Sequence, residues 1–423
     1  MITLKNGVVY LNKEFKKIDV LINNKKIIKI GDNINEGLII DCSNKLISPS
    51  FIDPHVHLRE PGYEYKETIK MGCNAAVKGG YTTLFLMPNL NPVVSNIDIL
   101  NNVNDIIKKD SLIQMIQLCS ITKEGRGLDN LVNFDSLANY TIGFSDDGNG
   151  IIYSKTMYEA MLNCQRLDKF IISHCEDKSL LYDGYIREGN YSKNNNHKGI
   201  LDIVETLELG RNLILANKTK VKFHMCHISV KDSVNLIRYY KSIGCDVSCE
   251  VTPHHLLLTE DNLKEDGNYK MNPPLGSNLD RLELIKGLKD NTIDFIATDH
   301  APHSMEEKNK GLKDSLFGIV GLETSFPLLY TNLVLKNIIS LDKLIDLMSL
   351  NISKRFKLES HEIKENNYAN ICIIDLNDEY LIDNNNFYSK GKNTPFNNWK
   401  VKGRIIKTIY KGDVVYDYGH GKK

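Results

Sequence analysis

FIDPHVHLREPGYE, residues 51–64, begins as an apolar strand and turns polar before it ends. Side chains alternate faces along an extended chain, so His55, His57 and Arg59 start on one side of it. The strand is expected to stop before Arg59. Two histidines at this spacing can hold one metal ion, and an arginine beside them can hold an anion. One HxH pair alone also fits a buried and an exposed histidine with no shared task. The choice rests on whether other strands end in the same way.

Eight apolar runs have strand character: SPSFID, TTLFLM, IQMIQLC, YTIGFS, KFIISH, VKFHMCH, DVSCEV and DFIATD. Helix-like stretches such as KETIKMGCNAAVKGG, SKTMYEAMLNCQRL and KDSVNLIRYYKSIG lie between them. Strand–helix repeats of this number predict an α/β fold, a (β/α)8 barrel of the TIM type, whose site forms at the C-terminal ends of its strands. The first run ends in His55-Val56-His57, the second in Met87-Pro88-Asn89 and the fourth in Ser145-Asp146-Asp147-Gly148. The fifth ends in His174-Cys175-Glu176, the sixth in His227 and the seventh in Thr252-Pro253-His254-His255. The eighth ends in Thr298-Asp299-His300-Ala301-Pro302-His303. Histidines and carboxylates therefore gather where a barrel builds its site, and a metal centre becomes the expectation.

The flanks read differently. Residues 1–48 are short runs with turn signals (NGVVYL, IDVLINNKKIIKIG, LIIDCSNKLI), with a turn expected at Asn23-Asn24. Residues 362–423 repeat that grammar in NICIIDL and RIIKTIYKGDVVYD. The expected organisation is a barrel over 49–361 and a small β-sandwich built jointly from 1–48 and 362–423. KNNNH at 193–197 and DNNNF at 383–387 read as solvated loops.

The 423 residues carry 53 basic and 53 acidic side chains, a formal net charge of +0. That balance gives no electrostatic pull toward nucleic acid or an anionic membrane. No apolar run approaches the roughly 20 residues of a membrane span. The start, MITLKNGVVYLNKEFKK, lacks a hydrophobic signal core, so a cytoplasmic protein is expected. The nine cysteines are odd in number, scattered and without a CxxC pair, which suits reduced, buried thiols such as Cys119, Cys226 and Cys249.

With those residues in view, the chain resembles the amidohydrolase superfamily and, within it, the bacterial class I dihydroorotases. The matching segments are FIDPHVHLREPG, GGYTTLFLMPN, FSDDG, HCED, HMCHIS, CEVTPHHLLLT, NPPLG, ATDHAPH and FGIVGLET. They span about residues 50–325, and the β-rich ends match the family's small sandwich. The resemblance implies two Zn2+ ions per subunit, one held by His55, His57 and Asp299 and the other by His174 and His227, with Asp147 bridging. Many relatives bridge with a lysine from the fourth strand. That strand has none here, and Lys155 opens the next helix, so Asp147 is preferred, with Asp146 as the alternative. Asp299 would act as general base and acid on water attacking an amide. The residues implied to touch substrate are His57, Arg59, Asn89, Asn272, His303 and the backbone at Phe317 and Gly318. Of these, Arg59, Asn89 and His303 would hold a carboxylate. The implied reaction is reversible closure of N-carbamoyl-L-aspartate to L-dihydroorotate in pyrimidine biosynthesis.

A homodimer is the expected assembly, and the resemblance allows association with aspartate transcarbamoylase. Of the remaining polar residues, one of His254 and His255 is expected to support the site, and His224 to be packed. Asp53 either orients a ligand or caps a turn, Glu176 is structural, and His197, His361 and His420 need no function. HSMEEKNKGLKDSLFG, residues 303–318, is charged and glycine-containing, which suits a lid or a plain solvated loop. The alternatives are another cyclic amidase (hydantoinase, dihydropyrimidinase or allantoinase) and a non-catalytic scaffold. The first has less need of Arg59, Asn89 and His303 together; the second would lack ligands that are all present.

Overall fold

A computed structural model describes residues 1–128 and 130–420. The first barrel strand, β1 (Phe51–Val56), is buried along its whole length. The strands that follow are β2 (Tyr81–Leu86), β3 (Gln114–Gln117), β4 (Gly143–Phe144), β5 (Phe170–Ser173), β6 (Lys222–Met225), β7 (Val247–Val251) and β8 (Phe295–Ile296). Parallel ladders join β1 to β2 and β2 to β3, then β4 through β8 in order. Two parallel bridges close the ring: Cys119 with Phe144 between β3 and β4, and Val56 with His300 between β1 and β8. The sheet is thus a closed barrel with no free edge.

Inside it Ile52, Phe85, Leu118, Ile172, Cys226 and Phe295 form one buried cluster. Phe356 plugs its floor, with ring centroids 4.9 Å from Phe85, 4.7 Å from Phe170 and 5.9 Å from Phe295. Helices such as Ile69–Lys78, Ser154–Arg166, Ile203–Thr219 and Lys231–Ser242 wrap the outside. The first is started by Thr68, whose side chain accepts from the Met71 amide, and buries Ile69, Cys73, Ala76 and Val77. The runs read as YTIGFS and DFIATD keep only two residues each in regular register. Past them the chain stays hydrogen-bonded, Ser145 N to Cys119 O at 2.8 Å and Ala297 N to Val251 O at 3.1 Å, while turning its polar residues over the barrel mouth.

The chain's two ends share one sheet. Its order is Asp413–Asp417, Lys400–Tyr410, Ile371–Leu381, Leu46–Pro49, Val8–Leu11, Glu14–Lys17. A second sheet runs Lys26–Gly31, Asp19–Asn23, Ile2–Lys5, Leu38–Asp41. Leu4, Val9, Val20, Ile22, Ile27, Ile47, Ile371 and Ile409 belong to one buried cluster drawn from both sheets. The turn expected at 23–24 falls one residue later. Asn23 still pairs with Lys26, and Asn24 and Lys25 take φ of 46° and 72°, the left-handed pair a two-residue hairpin needs.

Candidate active site

The C-terminal ends of β1, β4, β5, β6 and β8 bring His55, His57, Asp147, His174, His227 and Asp299 together, all buried. Their ligand-type atoms fall into close groups: His55, His57 and Asp299; Asp147, His174 and His227; and His55, Asp147 and Cys226. Asp147 sits between, with Oδ1 3.3 Å from His55 Nε2 and 3.8 Å from His227 Nε2, and Oδ2 3.4 Å from His57 Nε2. His227 and Asp299 reach the cluster with left-handed backbones, φ 30° and 49°, and Arg59 does so at φ 62°. Such conformations cost β-carbon residues about 1–3 kcal/mol each and are held only where surroundings enforce them.

The neighbouring Asp146 points elsewhere. It accepts from the amides of Ile121 (2.7 Å), Thr122 (3.0 Å) and Gly127 (2.9 Å) and from the Thr122 hydroxyl. Its carboxylate ties down the 121–127 loop, whereas Asp147 enters the cluster.

Two of the four rings, His55 and His57, are oriented by a partner behind them, while His174 Nδ1 and His227 Nε2 lie 3.0 Å apart within the cluster. His55 Nδ1 donates to Glu250 Oε1 at 3.0 Å, which leaves Nε2 facing Asp147. Glu250 Oε2 takes His224 Nε2 at 3.0 Å, and Ser248 Oγ meets His224 Nδ1 at 2.9 Å. His57 Nδ1 donates to Asn89 Oδ1 at 3.0 Å, aiming Nε2 at Asp299 Oδ1, 3.2 Å away. Asp53 accepts from His55 N (3.1 Å) and the Thr298 hydroxyl (2.6 Å), fastening the end of β1 to the end of β8. Glu250 went unread in the sequence. A carboxylate inside the otherwise uncharged, fully buried β7 was the available signal.

Electrostatics follow from this packing. Burial disfavours charge on Asp147, but His55, His227 and His57 around it hold its carboxyl well below the usual range. Asp299 behaves likewise: burial is outweighed by the His57 hydrogen bond and the surrounding imidazoles. Burial opposes charge on His55 too, and Asp147 more than reverses it, raising its pKa. Glu250 is carried to about 2 against its burial by His224 and His55. His254 drops to about 4 because it is buried, and its Nε2 has no partner. His255 is fixed between Thr252 Oγ1 (2.7 Å) and Pro273 O (2.9 Å). Both lie on a short helix, Pro253–Leu257, rather than on the strand end.

Four buried atoms of the cluster lack a hydrogen-bond partner: His55 Nε2, Asp147 Oδ1, His174 Nε2 and His227 Nδ1. Native proteins rarely leave such atoms bare, and imidazole with carboxylate is a donor set for zinc and related divalent ions. The residues therefore fit a metal centre.

At the mouth, Arg59 Nε donates to Pro302 O at 3.2 Å, and its Nη2 lies 3.4 Å from His303 Nε2. His303 Nε2 also bonds Phe317 O at 2.7 Å, so Arg59, His303 and the Phe317–Gly318 backbone share one wall. Burial, with Arg59, Lys66 and Lys308 nearby, lowers His303 to about 3 and keeps it neutral. Asn89 spans His57 and Asp147, its Nδ2 3.4 Å from Asp147 Oδ2. Asn272 sits across the mouth on Glu176 Oε1 at 2.9 Å, and Glu176 lies 3.7 Å from His174, at the site's edge. The 303–318 segment carries two short helices, Met305–Lys308 and Gly311–Asp314. His197 bonds Tyr185 and Glu265, and His361 is buried against Ser50 O, both away from the cluster.

A closed barrel with convergent histidines and carboxylates at its mouth fits the architecture of metal-dependent hydrolases. The solved L-hydantoinase of Arthrobacter aurescens superposes with a TM-score of 0.89 at 23% identity, covering 98% of this chain and 96% of that one. A solved D-hydantoinase gives a TM-score of 0.86 at 21% identity over 98% and 95%. A family model described as dihydro-orotase-like matches residues 44–233. Full-length relatives are closer in sequence. The dihydroorotase of Fusobacterium nucleatum is 48% identical over 98% of both chains, and that of Bacillus subtilis 45% identical over 98% of both. The chain belongs to the dihydroorotase family.

Proposed function

We propose that the protein is a dihydroorotase, closing N-carbamoyl-L-aspartate to L-dihydroorotate with loss of water, and reversing that step. The observation that carries the reading is the Arg59–His303 wall set directly beside the His57–Asp299 pair. An anion-binding fork adjoins hydrolytic machinery, as a cyclic amide with a free carboxylate requires. His55, His57, Asp299, His174 and His227 would hold two metal ions, with Asp147 between them; zinc suits the donor set. When bound, such ions lower the pKa of water and polarise a carbonyl.

The chain's own residues do the rest. In hydrolysis, a bond forms from water oxygen to the ring carbonyl carbon and the carbon–nitrogen bond breaks. Asp299, ionised and aligned by His57, takes the water proton and returns it to the leaving nitrogen. Arg59, Asn89 and His303 hold the carboxylate, and Asn272 with the Phe317–Gly318 backbone holds the ring. Residues 49–361 form the catalytic barrel in this reading, with 1–48 and 362–423 as one β-rich unit beside it. The same reading takes in a cytoplasmic homodimer able to associate with aspartate transcarbamoylase. No helix among the described residues is long and apolar enough to cross a membrane.

The test is turnover of L-dihydroorotate, with hydantoin, dihydrouracil and allantoin in parallel, by zinc-loaded protein. Selective hydrolysis of dihydroorotate is expected. Preference for an uncharged ring would assign the protein to the hydantoinases instead.

A further inference from the structure

Asn393 lies in the C-terminal segment, far along the chain from any barrel strand, and is buried. Its side chain spends its hydrogen-bonding capacity on the loop after β8. Oδ1 accepts from His303 N at 3.1 Å, and Nδ2 donates to Ala301 O and to Gly318 O, both at 3.0 Å. Its own carbonyl accepts from Val320 N at 2.9 Å. A second, unrelated side chain meets the same target. Lys308 Nζ donates to Gly318 O at 2.8 Å, Leu316 O at 2.7 Å and Lys270 O at 3.0 Å. Gly318 has φ 129°, and a β-carbon there would lie 2.6 Å from Ala301 Cβ, so the peptide rests flat on Ala301. Two residues before Asn393, a β-carbon on Gly391 would lie 2.6 Å from Pro302 Cβ. The strap approaches the loop as closely as backbone allows.

The metal-ligand set does not depend on this clamp. Asp299 is flanked by Thr298, held by Asp53, and by His300, whose carbonyl takes His57 N at 2.9 Å.

We propose that Asn393 is a positioning residue for substrate: it staples the His303 backbone to the Gly318 carbonyl and so sets the wall that receives the carboxylate and the ring edge. The kinetic half of this inference rests on the dihydroorotase reading; the structural half does not.

The experiment compares the full-length, zinc-loaded protein with Asn393→Ala and Asn393→Asp. The second keeps the volume and the acceptor but not the donors, and serves if the first does not fold. Lys390→Ala is the control, an exposed side chain on the same strap whose Nζ meets Glu64 O at 3.0 Å. Amide exchange across residues 301–320, metal content, KM and kcat are read together. Faster exchange at 301–320 is expected in both Asn393 variants. KM for L-dihydroorotate rises about tenfold, the effect of losing one to two hydrogen bonds, while kcat and metal content hold and Lys390→Ala matches wild type. Unchanged exchange, unchanged KM in folded variants, or loss of metal with kcat would each overturn the proposal. A wild type inert on dihydroorotate would overturn the activity reading, and the exchange data would still decide the clamp.

Discussion

Asp146 and Asp147 carry the same group one residue apart and meet different surroundings. Asp146 collects loop amides, while Asp147 lies among three imidazoles. Asp147→Asn should therefore leave the fold intact and lower the metal bound per chain. Asp146→Asn should retain metal and lose about 2–3 kcal/mol of stability, since an amide cannot accept all the hydrogen bonds that the buried carboxylate does. Metal analysis and urea unfolding of the two variants separate the roles; the reverse pattern would make Asp146 the ligand. Arg59 is tested by a pair of changes. Arg59→Ala should raise KM for L-dihydroorotate about 100-fold, the worth of a paired charge-assisted contact, and Arg59→Lys should recover only part because it lacks the planar fork. Equal KM in all three proteins would make Arg59 a loop-holding residue through its bond to Pro302 O.

Among the elements, β7 does most for the site without supplying any of the six expected ligands. Its Glu250 orients His55 from behind and also holds His224, linking β1, β6 and β7. Glu250 falls from the usual 4.5 to about 2 in the folded protein, so its stabilisation is complete above pH 4.5 and fades as pH falls toward 2. That depression corresponds to at most about 3 kcal/mol. Glu250→Gln should flatten the loss of stability between pH 4.5 and about 2, measured by urea unfolding; an unchanged slope would place the acid sensitivity elsewhere. The strand ends were legible in sequence because a barrel directs every strand's last residues to one mouth, so HxH, FSDDG, HCED and ATDHAPH had to converge. Glu250 was not, because a charge inside a strand announces burial but not which ring it meets. Nor were Lys308 and Asn393, whose partners are backbone groups, and backbone partners leave no pattern in side-chain spacing. The helix at Pro253–Leu257 was hidden by its brevity, although Thr252-Pro253 is a helix start in hindsight.

At the scale of the whole molecule, the ring of strands is closed by short ladders and two single bridges, and its mouth is the least regular part. Five strands deliver buried histidines or carboxylates there, four atoms of them without partners. A metal pair would bond β1, β4, β5, β6 and β8 to one another across the mouth, acting on the fold as well as on the chemistry. A ligand that binds only the native state adds RT ln(1 + [L]/Kd), about 4 kcal/mol at a thousandfold excess over Kd. For a chain of this size that amounts to a Tm shift of several degrees, since each kcal/mol moves a large domain by about 2 °C or less. Chelator-treated protein should therefore unfold several degrees lower than zinc-loaded protein and recover when zinc is restored. Asp147→Asn should show a smaller gap between the two states. A Tm indifferent to verified metal removal would mean that these side chains do not bind the ion between them, and that the bare atoms are satisfied by water alone.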